Sequence, residues 1–167
     1  MKTNVVLIGM PGCGKSTIGE IIAKDLNYDF YDMDVYIEEI AGKSIPEIFQ
    51  EGESTFREWE TRACKELSKK HNMIIASGGG VVKKSINMEI IKEKSIIVFI
   101  DRPAEEIIKD VNVSTRPLLK DGVDKVYDLY KERYELYKKA ADVIVINKGL
   151  IEEVIESCKK AIIKLLH

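Results

Sequence analysis

The stretch Gly9–Thr17, GMPGCGKST, matches the phosphate-binding pattern G-x-x-x-x-G-K-[ST]. It follows the apolar run Val5–Ile8, which is typical of a strand buried on both faces. The residues after it, Lys15–Leu26, have the pattern of a helix. A strand, a glycine-rich loop and a helix in this order bring backbone N–H groups around phosphate oxygens. The stretch therefore predicts a P loop that binds ATP or GTP.

Each part of this loop has an expected role in nucleotide binding. Lys15 adds a point charge for the β- and γ-phosphates, and the Ser16 hydroxyl is placed to ligate Mg²⁺. The nucleotide-binding residues predicted here are Gly12, Cys13, Gly14, Lys15, Ser16 and Thr17. The pattern does not say which reaction the nucleotide serves.

Strand-like and helical patterns alternate along the rest of the chain. Four more strands are predicted at Asp29–Asp32, Met73–Ala76, Ser95–Ile100 and Val143–Ile146, with helices at Val35–Ala41, Ser54–Lys70, Ser85–Lys92, Pro103–Asp110, Val123–Ala141 and Leu150–Leu166. Five strands alternating with helices predict parallel βαβ units with right-handed crossovers. We therefore expect one α/β domain over residues 1–167. The polar segment 111–122 has no periodicity and is predicted to be a mobile lid.

Composition narrows the class of protein. The chain has 167 residues and a formal net charge of −2, so no basic field favours nucleic acid. No apolar run reaches the roughly 18–20 residues of a membrane span, and the first residues lack the apolar core of a signal peptide. The cysteines, Cys13, Cys64 and Cys158, stand too far apart in sequence for a CxxC pair and are expected to be apolar fillers. We expect a cytoplasmic protein without membrane or nucleic-acid partners.

A P loop of this kind could belong to a GTP switch, to a motor or transporter, or to a phosphotransferase. A GTP switch needs a DxxG turn, and no aspartate here has a glycine three residues later. The stretch Asn147–Leu150, NKGL, begins like the guanine-binding NKxD, but Leu150 cannot accept the hydrogen bonds of guanine. Motors and transporters usually need larger or additional domains. A small phosphotransferase is therefore favoured.

Two carboxylates follow the second predicted strand. Asp32 and Asp34 would lie at the carboxyl end of the sheet, where parallel α/β folds bind ligands. If the chain is still extended there, both side chains face one side. One carboxylate could then hold Mg²⁺ through water and the other could accept a hydroxyl proton. The alternative is an acidic helix start.

Two arginines and a glycine run are further candidates on the acceptor side. Arg57 lies beside the predicted apolar stripe of its helix and either reaches a cleft or pairs at the surface with Glu53 or Glu60. Gly78–Gly80 directly follow a strand, where backbone can approach a ligand closely. Arg133 occupies an apolar-face position, which is costly unless an anionic ligand or a partner side chain such as an aspartate balances its charge.

On the nucleotide side, Arg116 precedes Pro117 within the predicted lid, where it could contact the transferring phosphate. Arg102 is a weaker candidate, because an arginine before a helix start usually meets only solvent.

Taken in order, the stretches GMPGCGKSTIG, DMD, FREWE, SGGG, RPLL and ERYELY resemble the motif set of the shikimate kinase family. The resemblance covers the chain from Gly9 to about Tyr137. It implies a P-loop nucleoside-monophosphate-kinase-like three-layer fold with a five-stranded parallel sheet. It also implies ATP- and Mg²⁺-dependent phosphorylation of the 3-hydroxyl of shikimate, a step in chorismate and aromatic amino-acid biosynthesis, by an enzyme expected to be monomeric.

The same resemblance implies roles for individual residues. Asp34 would bind the acceptor hydroxyls and act as base, while Asp32 would support Mg²⁺ with Ser16. Arg57 and Arg133 would hold the shikimate carboxylate, with the Gly79 backbone close to the ring. Arg116 would contact the ATP phosphates, and Lys15 and Arg116 would join Asp34 as catalytic residues. The stretches 109–112 and 147–149 depart from the family pattern, so the adenine contacts are left unassigned.

Two other functions stay open at this point. A kinase of another small acceptor, such as gluconate, shares the P loop but need not have Arg57, the glycine run and Arg133 together. A non-catalytic nucleotide-binding module would keep Gly9–Thr17 but could lose the carboxylates. The presence of Asp32, Asp34 and Arg116 disfavours the second alternative.

Overall fold

The computed structural model of the chain describes residues 1–110 and 122–167. Its strands are β1 (Asn4–Ile8), β2 (Asp29–Asp32), β3 (Met73–Ala76), β4 (Ser95–Asp101) and β5 (Val143–Ile146). Its helices are α1 (Lys15–Leu26), α2 (Met33–Ala41), α3 (Ile45–Gln50), α4 (Glu53–Leu67), α5 (Ser85–Lys94), α6 (Ala104–Lys109), α7 (Val123–Ala140) and α8 (Ile151–Leu166), with a 3₁₀ turn at Val81–Lys83.

The five strands form one parallel sheet in the order β2-β3-β1-β4-β5. The predicted α/β fold with a five-stranded parallel sheet is confirmed. Strand β1 lies in the middle and is buried at every residue, because helices cover both faces of the sheet. The P loop therefore leaves the sheet at its centre, between the ends of β3 and β4.

One helix was not predicted. Helix α3 has only six residues, and it begins with a capping box in which the Ser44 hydroxyl accepts from Glu47 N–H while the Glu47 carboxylate accepts from Ser44 N–H. Pro46 stands in the first turn, where a missing N–H costs nothing. The stretch Ser44–Glu47, SIPE, was the sequence signal for this helix.

The core is continuous across the sheet and includes all three cysteines, which are free and buried as predicted. Among the helices of residues 1–110 and 122–167, none is long and apolar enough to cross a membrane.

Candidate active site

The P loop closes around the side chain of Lys15. The Lys15 ammonium donates to Gly9 O over 2.8 Å and to Met10 O over 2.9 Å, and it lies 3.6 Å from Cys13 Sγ. Gly14 caps α1 with φ of 100°, in the left-handed region that favours glycine. Because α1 begins directly afterwards, the cation and the free N–H groups of the helix start lie together. This arrangement fits a phosphate chain.

The other predicted nucleotide-binding residues lie on the same loop and on the first turn of α1. Ser16 and Thr17 are exposed there, while Cys13 is buried beneath the loop. Gly12 O accepts a hydrogen bond from Arg102. Arg116 falls within residues 111–121 and lies outside the described part of the chain.

Ser16 and Asp32 meet beside the P loop. Asp32 Oδ2 accepts from Ser16 Oγ over 2.7 Å. Asp32 Oδ1 accepts from the N–H groups of Asp34 and Val35 and caps α2, so this carboxylate is also the acidic helix start considered above. Within residues 1–110 and 122–167 no three His, Cys, Asp or Glu side chains cluster as a metal site. A hydroxyl and one carboxylate nevertheless fit Mg²⁺, which usually takes few protein ligands besides phosphates and water.

Asp34 lies in the first turn of α2, because the helix already begins at Met33. The extended conformation considered from the sequence is therefore not present. Asp34 is half-buried, and its Oδ1 atom is fully buried with no hydrogen-bond partner among the described residues. Burial, reinforced by the neighbouring charge of Asp32, raises the pKa of the Asp34 carboxyl. A carboxylate in this state accepts a proton more readily than an exposed one.

Asp34 faces a cavity of about 460 Å³. Helices α2, α3 and α4, the glycine turn Gly78–Gly80 and helix α7 bound it. Its charged lining consists of Asp34, Glu38, Arg57, Glu60 and Arg133, and its apolar lining of Ile45, Pro46, Phe49 and Phe56. The unpredicted helix α3 thus supplies most of the apolar wall. A small polar molecule with one ring fits this size and lining.

Arg57 reaches this cavity and also makes ion pairs. Its Nη1 donates to Glu60 over 3.0 Å, and its Nη2 donates to Glu53 over 3.1 Å. Both partners considered from the sequence are present, but Glu60 is not a surface residue: its side chain is only 1% exposed. Burial raises the pKa of the Glu60 carboxyl although the Arg57 charge opposes the shift. Glu60 Oε2 has no partner among the described residues.

The glycine turn is fitted closely around two neighbours. A β-carbon on Gly80 would lie 2.3 Å from Arg57 Nη1, and one on Gly79 would lie 2.8 Å from Pro11 Cδ. At residue 80 the flexible end of Arg57 would have to move, whereas at residue 79 the ring of Pro11 is rigid, so the turn needs glycine for close approach there. Gly79 lines the cavity described above, here called the acceptor cavity, and also contacts Pro11 of the P loop. The two sites are therefore adjacent at Gly79.

Arg133 lies on the buried face of α7, as predicted, with 4% of its surface exposed. Its Nε atom has no hydrogen-bond partner among the described residues, and it lines the same cavity as Asp34. One helical turn later, Tyr137 donates from its hydroxyl to Gly79 O over 2.6 Å. A buried guanidinium with a free donor is a site for an anion.

Three site residues were missed or misjudged from the sequence. Glu60 was treated as a possible surface partner, although it stands four residues after the buried Phe56. Arg102 was expected to meet solvent, but it contacts the P loop and pairs with Asp110. Asn147 was considered as part of an NKxD-like stretch and of the loop expected near adenine, but no contact with the P loop was predicted; it donates to Cys13 O over 2.8 Å.

A central P loop beside a cavity with the Asp34 carboxylate and two arginines defines a P-loop kinase of a small anionic acceptor. A family model described as shikimate kinase matches residues 11–163. The chain is 58% identical to a shikimate kinase of Clostridium botulinum (strain Alaska E43 / Type E3) over 98% of this chain and 99% of that one. The chain belongs to the shikimate kinase family.

Solved structures agree with this assignment. The shikimate kinase from Acinetobacter baumannii in complex with shikimate has a TM-score of 0.88 and 32% identity, over 99% of this chain and 93% of that chain. A gluconokinase from Sinorhizobium meliloti has a TM-score of 0.62 and 15% identity, over 98% of this chain and 93% of that chain. The second likeness shows a shared fold alone.

Proposed function

We propose that this protein transfers the γ-phosphoryl group of ATP to the 3-hydroxyl of shikimate, giving shikimate 3-phosphate and ADP. In this function it serves chorismate and aromatic amino-acid biosynthesis. Family membership and the similar kinase in complex with shikimate support the choice of acceptor. The proposed enzyme is a cytoplasmic monomer whose single domain spans residues 1–167, in keeping with its composition.

One observation carries the choice of substrate class. The Nε donor of Arg133 and the Oδ1 acceptor of Asp34 both lack partners among the described residues, and both residues line one cavity. A ligand that satisfies both needs an anionic group for the guanidinium and a hydroxyl for the carboxylate. A ring that carries one carboxylate and several hydroxyls, as shikimate does, meets both needs. Arg57 adds a second cation beside the same cavity.

The acceptor side of the reaction follows from the state of Asp34. As the P–O bond to the 3-hydroxyl oxygen forms, the hydroxyl proton passes to the Asp34 carboxylate. The bond between the γ-phosphorus and the bridging oxygen of ADP breaks. The raised pKa of Asp34 favours this proton transfer. Arg57 and Arg133 hold the carboxylate of the substrate and so orient its hydroxyl.

The nucleotide side follows from the P loop. Lys15 and the N–H groups at the start of α1 would bind the phosphates and stabilise the charge that moves towards ADP. Ser16 and Asp32 would hold Mg²⁺, which neutralises phosphate charge when bound. Arg116 keeps its proposed role as an arginine on the transferring phosphate, although it lies outside the described residues.

The deciding experiment measures ADP release with Mg·ATP and, in parallel, shikimate, gluconate, AMP or no acceptor. We expect stimulation by shikimate alone. Stimulation by gluconate instead would keep the P loop and reassign Arg57 and Arg133. Shikimate methyl ester, which lacks the charge, should show a much higher KM than shikimate. That difference should shrink in Arg133→Ala if Arg133 binds the carboxylate.

A further inference from the structure

Two successive carbonyl groups of the P loop are held by side chains from outside the loop. Arg102 Nη1 donates to Gly12 O over 2.9 Å, and Asn147 Nδ2 donates to Cys13 O over 2.8 Å. Neither donor belongs to the phosphate-binding pattern. Arg102 follows β4 and Asn147 follows β5, so both stand at the carboxyl ends of the two strands beyond the P loop.

The position of the Asn147 side chain is fixed by a backbone hydrogen bond and by packing against Gly14. Its backbone N–H donates to Asp101 O over 2.8 Å, which fixes the chain at the end of β5. A β-carbon on Gly14 would lie 3.0 Å from Asn147 Nδ2. The amide therefore packs against Gly14 as well as bonding Cys13 O. It contacts both residues of the Cys13–Gly14 peptide.

The orientation of the Cys13–Gly14 peptide decides whether its N–H group can donate to a bound phosphate. The peptide is trans, so its C=O and N–H groups point in opposite directions. With Cys13 O turned towards Asn147, the Gly14 N–H points the other way, away from Asn147. This N–H lies directly before the start of α1, among the donors that bind phosphates in such loops.

We propose that Asn147 is a positioning residue for nucleotide binding, which acts by fixing the Cys13–Gly14 peptide with the Gly14 N–H facing the phosphates. Arg102 supports the preceding peptide through Gly12 O. Without these two donors, each carbonyl would be free to rotate and the loop would have to be ordered by the nucleotide itself. This role rests on the proposed use of ATP.

The chain offers a matched control at the opposite end of the sheet. Asn4 Nδ2 also donates to a backbone carbonyl over 2.8 Å, that of Lys70, and Asn4 lies at the start of β1. Asn4→Ala removes this hydrogen bond, and also the one that Asn4 Oδ1 accepts from Met73 N–H, at the end of β1 away from the P loop. It should lower the midpoint of thermal unfolding and leave nucleotide affinity unchanged.

The test compares Asn147→Ala and the similarly sized Asn147→Leu with wild type and Asn4→Ala. Calorimetric titration with Mg·ADP gives the Kd, and steady-state kinetics give separate KM values for ATP and shikimate. We expect both Asn147 variants to raise the ADP Kd and the ATP KM roughly 10-fold, the usual scale for a lost hydrogen bond to a buried polar group. The shikimate KM should change less than about 2-fold. Arg102→Ala should shift the ADP Kd in the same direction.

Two results would overturn this role. One is an unchanged ADP Kd in both Asn147 variants. The other is a rise of both KM values, with Asn4→Ala showing the same rise at an equal loss of stability, because the effect would then be structural. Failure of the proposed function looks different: wild type would bind no ADP, or would bind it without turning over shikimate.

Discussion

Asp34 and Glu60 direct their unpartnered carboxylate oxygens at the same glycine. A β-carbon on Gly78 would lie 3.0 Å from Asp34 Oδ1 and 3.3 Å from Glu60 Oε2. Two carboxylates thus converge beside the cavity, and among the residues that the structure describes only Glu60 has an ion-pair partner, Arg57. This difference agrees with the proposed roles, in which Glu60 positions Arg57 and Asp34 contacts the substrate.

Asp34→Asn removes the proposed base without changing the size of the side chain. We expect kcat to fall roughly 10²-fold or more, the usual scale for a positioned base. Calorimetric Kd values for Mg·ADP should stay close to wild type, because the Asp34 side chain lines the acceptor cavity and makes no hydrogen bond to the P loop among the described residues. Near-normal turnover in this variant would remove Asp34 from the mechanism.

The same substitution should stabilise the protein at neutral pH. Because the pKa of Asp34 is raised on folding, its contribution to stability is complete below the ordinary aspartate pKa of about 4 and is lost as pH rises through the raised value. At pH 7 the buried charge is therefore destabilising. Asp34→Asn should unfold at a higher temperature than wild type at pH 7, and the gap should close towards pH 4. A constant gap would contradict this, and the exposed Asp128→Asn is the control.

Glu60→Gln tests the carboxylate that positions Arg57. The neutral amide still accepts a hydrogen bond from Arg57 but no longer balances its charge, so the guanidinium is held less firmly. We expect the shikimate KM to rise on the order of 10-fold with little change in the ATP KM. Steady-state kinetics with each substrate varied in turn measure both values. An unchanged shikimate KM would mean that Glu53 alone positions Arg57.

Arg133→Ala removes the buried guanidinium with the free donor. A charged hydrogen bond to a carboxylate is worth about 1.5–3 kcal/mol, so the shikimate KM should rise roughly 10²-fold. Lys131→Ala, an exposed change on the same helix, is the matched control and should leave both KM values unchanged. If the ATP KM rose instead, Arg133 would belong to the nucleotide side.

Gly80→Ala and Gly79→Ala separate the two substrate sites. The new methyl group at residue 80 meets the flexible end of Arg57, so the fold should survive while the guanidinium moves and the shikimate KM rises. At residue 79 the methyl group meets the rigid ring of Pro11 in the P loop. There both KM values should rise. Equal effects of the two changes on the ATP KM would contradict this distinction.

Much of the fold could be predicted because its signals are local. The buried run Val5–Ile8, the glycine-rich loop and the alternation of strands with helices each follow from short patterns. Asp34 and the glycine run could be proposed because parallel strands bring their carboxyl ends to one edge, and Arg57 and Arg133 because of their positions on helical faces and the family resemblance. Asp34, Arg57, Gly79 and Arg133 do line one cavity.

The remaining features depend on contacts that spacing does not show. Helix α3 is too short for a helical period, and only its capping box marked it. Arg102 and Asn147 bond backbone carbonyls 90 and 134 residues away in the chain. A hydrogen bond to a backbone carbonyl does not depend on the side chain of the accepting residue. No sequence pattern could therefore pair Arg102 and Asn147 with the P loop. Glu60 was misjudged because a glutamate in a helix is normally expected at the surface. Its burial is understood only once its ion pair with Arg57 is known.

Because β1 lies in the middle of the sheet, the residues of the acceptor cavity and the residues that hold the P loop lie on opposite sides of it. Evolution or engineering could therefore change one set and leave the other in place. On one side, the continuous block from β2 to the glycine turn supplies Asp34, Arg57, Glu60 and the cavity walls. On the other, β4 and β5 carry the side chains that brace the P loop. Acceptor choice could therefore be changed by replacing residues 33–80 together with Arg133, while Asp32 and the nucleotide-binding residues are kept. Any such exchange must preserve the contact between Gly79 and Pro11, because the acceptor cavity and the P loop meet there.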